Sequence, residues 1–591
     1  MKKLFTLQII KIQIQTSLKM KKTKTPFLFK LILLTFTILL TSLPHAVAQN
    51  KTTELDKLMN QAHANGVFNG TVLVAENGKV IYRKAFGYAN KETKQLLKPE
   101  FCFDLASVSK QFTAMGIMIL KERNMLSYDD KITKYFPEFP AYGKDITIRN
   151  LLNQTSGMPL YQPFAKKYNL TNAEILKIIE EREALDSSIG ARYVYNNAGY
   201  VMLGLIVEKV SNKSLAAFLK ENVFKPLKMK NTLVGDAPKI DLKNRAIGYT
   251  VIGELDDYAV SHTGSTSMFS NVDDLFLRDQ ALYTEKLVSK KTMEEAFTPV
   301  VLNDGSVSNY GFGWFLTPEK KSVNHSGSDF GYRAFIMRDL EKKSTYIWLT
   351  NAGNAINKDK MNVAIENILA SKPYEIPKIT VFSELQKALE VNSVDDAIAK
   401  TTKAIQSKPN QYTMDDAAIN ELGYKFLTEK KLSEAFSIFK FNVLVNPNSS
   451  NVYDSLGEAY LLKKDTVNAV ENYKKSVALN PDNANAKNVL KKLGIATTDL
   501  VTDVTVAPEV LKSYLGRYQL NENYSFTVTE DKGQLYIQGT NEKITTVYPM
   551  AQNRFYSKII TAQFTFNSDK NGHVDSLTLN MGKDMNAKKV E

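Results

Sequence analysis

Apolar and other strand-favouring residues are concentrated in two segments near the start of the chain, between Phe68 and Gly87. The turn that separates them, Glu76–Lys79, has Asn-Gly at its centre, which is a strong signal for a β-hairpin. Two later strands are predicted at Tyr332–Met337 and Thr345–Leu349, joined by a charged turn. These patterns predict an antiparallel sheet whose strands come from distant parts of the chain.

Helical periodicity lies between these strands. Over Ser107–Arg123 the apolar residues Phe112, Met115 and Ile119 recur at a spacing that places them on one face of a helix. Strands at both ends with helices between them predict an α+β layered domain. We assign this domain to residues 49–371.

A Pro-containing segment, residues 372–383, is predicted to be a linker, and the pattern beyond it is helical. Five positions recur 34 residues later: Leu422, Gly423, Ala435, Phe439 and Pro447 as Leu456, Gly457, Ala469, Tyr473 and Pro481. The period and its residue types resemble tetratricopeptide (TPR) repeats. Residues 384–496 are therefore predicted to form α-helical TPR-like repeats, which either bind a protein or peptide partner or act as a rigid spacer.

In the last part of the chain the pattern changes to an alternation of apolar and polar residues. Phe526 and Val528, and later Leu577 and Leu579, are separated by single polar residues, and the segments between them contain turn sequences. Residues 508–591 are therefore predicted to form a small antiparallel β domain of barrel-like type. The whole chain is thus predicted to be multidomain.

The net charge of the chain does not alter these predictions of its domains. The composition, with 43% hydrophobic and 23% charged residues, is that of a globular protein. The formal net charge is +14, but residues 1–48 hold eight lysines and no acid, so +14 falls to +6 for the remainder. An excess of that size over more than 500 residues does not indicate binding to nucleic acid.

Residues 1–48 contain an apolar stretch, Phe27–Leu40, followed by Pro44 and the small-residue sequence Ala46–Ala48. This pattern is typical of a secretory signal peptide cleaved after Ala48, with a retained membrane anchor as the alternative. Translation could begin at Met1 or at Met20. We expect an exported protein, periplasmic or secreted, with no stable membrane anchor after cleavage; its single cysteine excludes an internal disulfide.

The number and spacing of the reactive residues exclude several types of active site. The five histidines do not occur at the spacing of metal ligands and there is one cysteine, so we predict neither a metal site nor a cofactor. The chain contains no Gly-x-Ser sequence, which excludes the usual nucleophile elbow of α/β-hydrolases. A serine enzyme would need another kind of base.

The sequence Ser107-Val108-Ser109-Lys110 supplies one. It places Ser107 at the start of a helix, where the dipole favours developing negative charge, and Lys110 on the same face one turn later. A desolvated lysine can act as a general base because burial lowers its pKa. A Ser and a Lys at this spacing also occur on ordinary surface helices, which is the alternative interpretation.

Two further motifs could complete such a site. Tyr195 and Asn197 precede an apolar helix, where a phenol could transfer a proton and an amide could hold a substrate. His325–Ser328 lies on a predicted strand whose N–H groups could approach a substrate carbonyl. The structural alternatives are a core tyrosine at 195, a helix cap at 197 and an ordinary strand residue at 325.

Together these motifs resemble the serine β-lactamase and penicillin-binding superfamily, on the branch that includes class C β-lactamases, DD-peptidases and related esterases. The resemblance covers Leu55–Ala370, and four more segments appear in the family's order: Phe103–Lys110, Ile146–Gly157, Asn271–Leu275 and Tyr310–Trp314. It implies that Ser107 is the acylated nucleophile, that Lys110 accepts its proton, and that Tyr195 is the partner acid and base.

The resemblance also implies the binding groups. Asn197 would bind the substrate amide, and the backbone N–H groups of Ser107 and Ser328 would form the oxyanion hole. His325, Ser326 and Gly327 would belong to the strand that faces the acyl group or a substrate carboxylate.

The chain departs from the family pattern in two motifs. It has His-Ser-Gly where class C β-lactamases have Lys-Thr-Gly, so a permanent positive charge is missing. An unperturbed histidine has a pKa near 6.5, so a substrate carboxylate would be held less firmly at neutral pH unless Arg333 or another cation contributes. This favours peptidase, amidase or esterase activity over efficient β-lactam hydrolysis. Gln154 stands where the family often has His.

The leading hypothesis is an exported serine hydrolase that cleaves an amide or ester through a Ser107 acyl-enzyme. Its substrate would be a D-amino-acid peptide, an ester or a β-lactam. The alternative is a catalytically weak penicillin-binding-like or scaffold protein that uses the repeats to bind a partner.

Overall fold

A computed structural model describes residues 50–590, apart from 168, 236–241, 259, 354–357, 496–505, 522–523, 541–543, 558–561, 570–571 and 581–583. The predicted signal peptide, residues 1–48, lies outside the described residues. The chain divides into two compact units between Lys378 and Ile379. Within the described residues, no helix is both long enough and apolar enough to cross a lipid bilayer.

The strands of the first unit are β1 (Gly70–Glu76), β2 (Lys79–Phe86), β3 (Tyr88–Asn90), β4 (Gln95–Leu96), β5 (Phe103–Asp104), β6 (Leu233–Val234), β7 (Met268–Ser270), β8 (Val300–Val301), β9 (Val307–Ser308), β10 (Phe315–Thr317), β11 (Ser322–Asp329), β12 (Tyr332–Asp339) and β13 (Ser344–Thr350). Its α-helices run over residues 50–64, Lys110–Glu122, Ile148–Leu152, Asn172–Glu180, Asn197–Ser211, Leu215–Leu219, Lys225–Leu227, Val272–Ala281, Lys290–Ala296 and Lys358–Leu369.

A six-stranded antiparallel sheet with the order β10-β11-β12-β13-β1-β2 organises this unit. The predicted hairpin is confirmed: β1 pairs with β2, and Asn77 and Gly78 both have positive φ, at 50° and 71°. The predicted pairing of β12 with β13 across a charged turn is also confirmed. The C-terminal half of the unit therefore supplies four of the six strands, as expected for strands drawn from distant segments.

Both faces of the sheet are covered, which explains why β1 is apolar along nearly its whole length. Leu73 and Ala75 pack into a large core that contains the helix Lys110–Glu122. Val72 and Val74 point the other way, into a second core with the helix Lys358–Leu369. The predicted helix over 107–123 therefore lies in the interior, and every residue from 110 to 120 is buried.

The α-helices of the second unit run over Val381–Leu389, Val394–Ser407, Asp416–Thr428, Leu432–Val445, Ser450–Leu462, Thr466–Leu479, Ala484–Lys492 and Pro508–Ser513. Its strands are β14 (Ile379–Thr380), β15 (Tyr412–Thr413), β16 (Gly516–Asn521), β17 (Tyr524–Asp531), β18 (Gln534–Gly539), β19 (Thr545–Ala551), β20 (Arg554–Ser557), β21 (Gln563–Ser568), β22 (Val574–Asn580) and β23 (Asp584–Lys589). The predicted linker thus contains β14 and the start of a helix in its second half.

The helical region shows the sequence period in its geometry. Helices begin at Asp416, Ser450 and Ala484, each 34 residues after the one before. A side chain at Gly423 would overlap the ring of Phe439, and one at Gly457 would meet the ring of Tyr473 at 3.0 Å. Repeating glycine–aromatic pairs therefore let successive helices pack closely.

The last part of the chain forms a closed barrel in which β16 to β23 pair in sequence and β16 also pairs with β23. Alternate residues such as Phe526 and Val528 are buried in its core, as the alternation predicted. The rings of Tyr514 and Phe566 stack there with centroids 4.2 Å apart. The predicted antiparallel β domain is confirmed, and it is closed.

Candidate active site

Ser107 lies on a short 3₁₀ turn, Ala106–Ser109, that leads directly into the helix Lys110–Glu122. Ala106, the residue before it, has a φ of 47°, a left-handed conformation that costs a non-glycine residue about 1–2 kcal/mol. The carboxylate of Asp104 accepts a hydrogen bond from the N–H of Ala106 at 2.7 Å, which helps to hold this conformation. The turn therefore fixes the orientation of Ser107.

Lys110 is completely buried, and its Nζ makes two hydrogen bonds. It donates to Oγ of Ser107 at 3.0 Å and to the carbonyl oxygen of Ser265 at 2.9 Å. Burial lowers the pKa of Lys110 to about 7, and the nearby Asp329 carboxylate offsets part of this effect. A substantial fraction of Lys110 is therefore neutral, and able to accept a proton, at physiological pH.

The ring of Tyr195 lies against this lysine, with Nζ of Lys110 4.8 Å from the ring centroid. Its hydroxyl is buried and has no hydrogen-bond partner of normal geometry among the described residues. Burial raises the pKa of Tyr195 well above its usual range, while Ser107 is close enough to lower it in part. The phenol is thus protonated in the resting site and is positioned beside both Ser107 and Lys110.

Gln154 supports the segment that carries Tyr195. Its backbone carbonyl accepts from the N–H of Val194, and its Oε1 accepts from the N–H of Asn196, both at 2.9 Å. Asn196 caps the following helix by accepting from the N–H of Ala198. The helix cap is therefore Asn196, whereas Asn197 is the first helical residue and lines the cavity beside Ser107.

β11 carries the His325–Ser328 motif and brings it against the 3₁₀ turn. β10 pairs with β11 only as far as Asn324, and no strand of the described residues covers that edge of β11 beyond this point. Gly327 is required there because any side chain would overlap the carbonyl oxygen of Leu105. This close approach places Ser328, which is exposed, on the cavity together with Ser107.

His325 lies behind Tyr195 and is outside the cavity wall. Its Nε2 and the hydroxyl of Tyr310 are 3.1 Å apart, its Nδ1 and the carbonyl oxygen of Ser326 are 2.7 Å apart, and the ring is 5.1 Å from that of Phe315. Burial lowers the pKa of His325 to about 3, so the ring is neutral at physiological pH. Neither His325 nor Ser326 lines the cavity, and Arg333 donates to the carbonyl oxygens of Phe330 and Tyr332.

The cavity at Ser107 has a volume of about 750 Å³. Its wall combines polar and apolar side chains: Tyr161, Gln162, Ala165, Lys166, Lys167, Asn169, Leu170, Asn197, Val260, His262, Ser265, Thr266, Ser328, Asp329 and Phe330. Among the described residues, no group of His, Cys, Asp and Glu side chains is arranged to hold a metal ion. The chemistry that this arrangement can perform is proton transfer and nucleophilic attack by a serine.

Several contributors were not singled out from the sequence. Ser265 follows Gly264, which has a φ of 91° and whose side chain, if it had one, would overlap the carbonyl oxygen of Tyr200. Thr113 donates to the carbonyl oxygen of Gly264 at 2.7 Å and holds this loop against the central helix. A glycine between two polar residues was the only sequence signal for this loop.

Comparison with known proteins gives matches to both ends of the chain. A family described as Beta-lactamase matches residues 53–368. A domain of unknown function, DUF3471, matches residues 502–591.

Penicillin-binding protein 4* of Bacillus subtilis (strain 168) is 36% identical over 362 residues, which are 56% of this chain and 78% of that protein. Protein flp of Staphylococcus aureus (strain MW2) is 26% identical over 314 residues, 50% of this chain and 62% of that protein. Among solved structures, D-amino acid amidase from Ochrobactrum anthropi SV3 is similar with a TM-score of 0.47 and 23% identity, covering 53% of this chain and 99% of that one.

Proposed function

Because the chain belongs to the beta-lactamase family and is a serine hydrolase of the β-lactamase and DD-peptidase type, we propose that Ser107 forms an acyl-enzyme with an amide or ester substrate. The observation that carries the proposal is the contact of Lys110 with Ser107: a fully buried amine with a pKa of about 7, 3.0 Å from a serine hydroxyl. A buried amine of this kind is a base that can activate the hydroxyl.

Acylation begins when neutral Lys110 takes the proton of Ser107 as its oxygen attacks the substrate carbonyl. The negative charge that forms on the carbonyl oxygen is stabilised by the N–H groups of Ser107 and Ser328. Tyr195 then donates its proton to the leaving amine or alcohol and regains one from Lys110. The bond to the leaving group breaks, and Ser107 carries the acyl group as an ester.

Deacylation uses the same groups in the opposite direction. A water molecule attacks the ester carbonyl as its proton passes to neutral Lys110, either directly or through Tyr195, which gives its own proton to Lys110 as it takes one from the water; the proton then returns to the Ser107 oxygen as the acid product leaves. The side-chain N–H of Asn197 would donate a hydrogen bond to the substrate during both acylation and deacylation. Its position on the cavity, at the first turn of a capped helix, supports this role.

The substrate class that we propose is a D-amino-acid peptide, an ester or a β-lactam. The similarity to penicillin-binding protein 4* supports substrates related to those that penicillins imitate. The neutral, buried His325 supports peptidase, amidase or esterase activity over efficient β-lactam hydrolysis, because it supplies no positive charge to a substrate carboxylate.

We further propose that the protein is exported, through cleavage of a signal peptide after Ala48. The helices from Asp416 to Lys492 are proposed to be TPR-like, on the basis of the 34-residue period in helix starts and glycine–aromatic pairs. Their surface would bind a peptide or protein partner, or they would act as a spacer. A partner that protects these helices from hydrogen exchange in the full chain would distinguish the two roles.

Turnover of a substrate panel tests the proposed function. The panel comprises p-nitrophenyl acetate, N-acetyl-D-alanine p-nitroanilide and a chromogenic cephalosporin, each supplied to the protein and to Ser107→Ala. We expect hydrolysis of at least one, which Ser107→Ala abolishes. Hydrolysis that persists in Ser107→Ala would place the chemistry elsewhere, and no hydrolysis of any substrate would favour a catalytically weak binding protein.

A further inference from the structure

Among the described residues, a single carboxylate, that of Asp329, lies in the wall of the cavity at Ser107. Asp329 follows Ser328 at the end of β11, on the face of the strand that Gly327 also presents to the 3₁₀ turn. Its Oδ2 accepts a hydrogen bond from the hydroxyl of Thr266 at 2.8 Å, and Thr266 also lines the cavity. No hydrogen bond from another described residue reaches Oδ1, so this oxygen remains available to a ligand.

The other charged groups near Asp329 are already engaged or lie farther out. Arg333 donates to two backbone carbonyls of the β11–β12 turn, and Lys110 is occupied by Ser107 and Ser265. Lys166 and Lys167 are exposed residues at the rim, and Lys167 forms an ion pair with Glu174 at 2.7 Å. Asp329 is also the only acidic side chain among the described residues that line the cavity.

Histidine supplies no opposing positive charge. His262 lines the cavity, but burial lowers its pKa to about 4, and His325 is neutral and lies behind Tyr195. A substrate carboxylate placed next to Asp329 would meet a like charge, whereas an ammonium group would meet an opposite one. The remaining wall near Asp329 includes Phe330 and Val260, which suit an apolar side chain.

The charge state of Asp329 would depend on whether an ammonium group is bound beside it. Burial raises the pKa of Asp329, while the Thr266 hydrogen bond, Lys110 and Arg333 lower it and Asp256 raises it. Its neighbour Asp104 is also buried and also has a raised pKa, so the two carboxylates disfavour each other's charge. A bound cation would relieve this repulsion and favour the ionised form of Asp329.

We propose that Asp329 binds an ammonium group of the substrate, so that the enzyme prefers amides or esters whose acyl part carries a free amine. The inference rests on the proposed acyl-enzyme function. The amine could be the α-ammonium of an amino acid or a side-chain ammonium further along a peptide. Both share the same chemistry, and substrates can separate them.

Three p-nitroanilides test the proposal with the full-length protein: D-alanine, with a free α-amine; Nα-acetyl-D-lysine, with a free side-chain amine; and N-acetyl-D-alanine, which is neutral. The readout is kcat/KM for each amine divided by kcat/KM for the neutral substrate. Asp329→Asn should lower one of these ratios by roughly 10- to 100-fold, the loss expected for a hydrogen bond to a charged group. The ratio that falls identifies the source of the ammonium.

Two further variants provide a rescue and a control for this experiment. Asp329→Glu restores the carboxylate and should recover part of the preference. Asp339→Asn makes the same chemical change at the far end of β12, outside the cavity, and should leave both ratios unchanged. A purely structural role of Asp329 would lower all three kcat/KM values together and leave the ratios as they were.

The outcomes separate the two proposals. If the neutral substrate is hydrolysed and Asp329→Asn leaves both ratios within twofold of the original values, the ammonium site is wrong and the hydrolase function stands. If none of the three substrates is hydrolysed and a fluorophosphonate does not label Ser107, the function itself is wrong and the ammonium site falls with it.

Discussion

The side chain of Lys110 donates a hydrogen bond to the hydroxyl of Ser107 across 3.0 Å, and it does so from a fully buried position. The two residues are three positions apart, but they belong to different kinds of helix, because the 3₁₀ turn ends at Ser109 and the α-helix begins at Lys110. A buried amine that is the immediate neighbour of a serine oxygen can remove its proton without first shedding water. Several consequences can be measured.

The rate at which Ser107 is acylated should depend on a group with a pKa of about 7. Below that pH Lys110 is protonated and cannot accept a proton, and above it the neutral form predominates. Labelling by a neutral fluorophosphonate should therefore fall by roughly tenfold per pH unit below 7 and reach a plateau above it. A rate that is constant from pH 5 to 9 would contradict the assignment.

Two variants identify the titrating group. Lys110→Arg keeps a positive charge that cannot be removed at these pH values, so it should abolish labelling at every pH. His325→Gln should keep the transition near pH 7, because the pKa of His325 is about 3. A transition that disappears in His325→Gln would assign the proton acceptor to the histidine.

Shortening Gln154 should impair catalysis indirectly, because Gln154 does not line the cavity but holds the segment that carries Tyr195. Gln154→Asn keeps a residue that tolerates the observed φ of 63°, but its amide oxygen is withdrawn from the N–H of Asn196. Leaving a buried donor unsatisfied costs about 1–3 kcal/mol, and the released segment would shift Tyr195. We expect kcat to fall by roughly tenfold or more with a smaller change in KM.

Steady-state kinetics with one ester substrate measure this effect. Gln95→Asn, on an exposed strand, makes the same chemical change and should leave kcat unchanged. A fall in KM and kcat together, with no change in their ratio, would argue against a positioning role for Gln154.

A methyl group at residue 327 should disable the site. In Gly327→Ala the new Cβ would overlap the carbonyl oxygen of Leu105 and push β11 away from the turn that carries Ser107. The N–H of Ser328 would then move away from the oxyanion hole that we propose, so acylation should slow by roughly 100-fold or more. Gly305→Ala is the control: its φ of 84° makes that substitution locally strained, but no atom lies within 4 Å of the new methyl and the residue is outside the cavity. Equal labelling rates in the two variants would contradict the role of Gly327.

Burial of His325 should make the first unit sensitive to acid. Its folded pKa of about 3 lies below the unfolded value near 6.5, so protonation favours unfolding as the pH falls. The stabilisation is complete above pH 6.5, is lost progressively toward pH 3, and has decreased by about 2 kcal/mol at pH 5. His325→Gln should remove this share of the difference in unfolding free energy between pH 8 and pH 5.

Urea unfolding followed by tryptophan fluorescence reports on this unit alone, because the only tryptophans, Trp314 and Trp348, are both buried in it. His573→Gln, at a side chain that is 84% exposed, should keep the pH dependence of the original protein. The same pH dependence in His325→Gln as in the original would contradict the buried, neutral state of His325.

The regular parts of the fold could be predicted because local sequence determines them. The hairpin at Asn77-Gly78, the helix from Lys110 and the barrel strands all follow from periodicity and turn chemistry. Ser107, Lys110 and Tyr195 were predicted together and lie together. The domain boundaries, the catalytic roles and the TPR-like repeats remain predictions.

The rest depended on contacts between residues far apart in the chain. Gln154 acts through Asn196, 42 positions later, and Ser265 accepts from Lys110 across 155 positions. Neither relationship leaves a periodic signal. The position of His325 was also hidden, because alternation along a strand gives the face of a residue but not the aromatic rings of Tyr195, Tyr310 and Phe315 that enclose it.

Intact-protein mass spectrometry tests the Ser107 acyl-enzyme most directly. The protein from residue 49 onward is mixed separately with a fluorophosphonate and with a penicillin, alongside Ser107→Ala, and sampled over time. We predict an adduct of one reagent per chain that Ser107→Ala lacks, with the lifetime of the penicillin adduct giving the rate of deacylation. An identical adduct in Ser107→Ala, or no adduct with either reagent and no consumption of ester or β-lactam, would contradict the proposal.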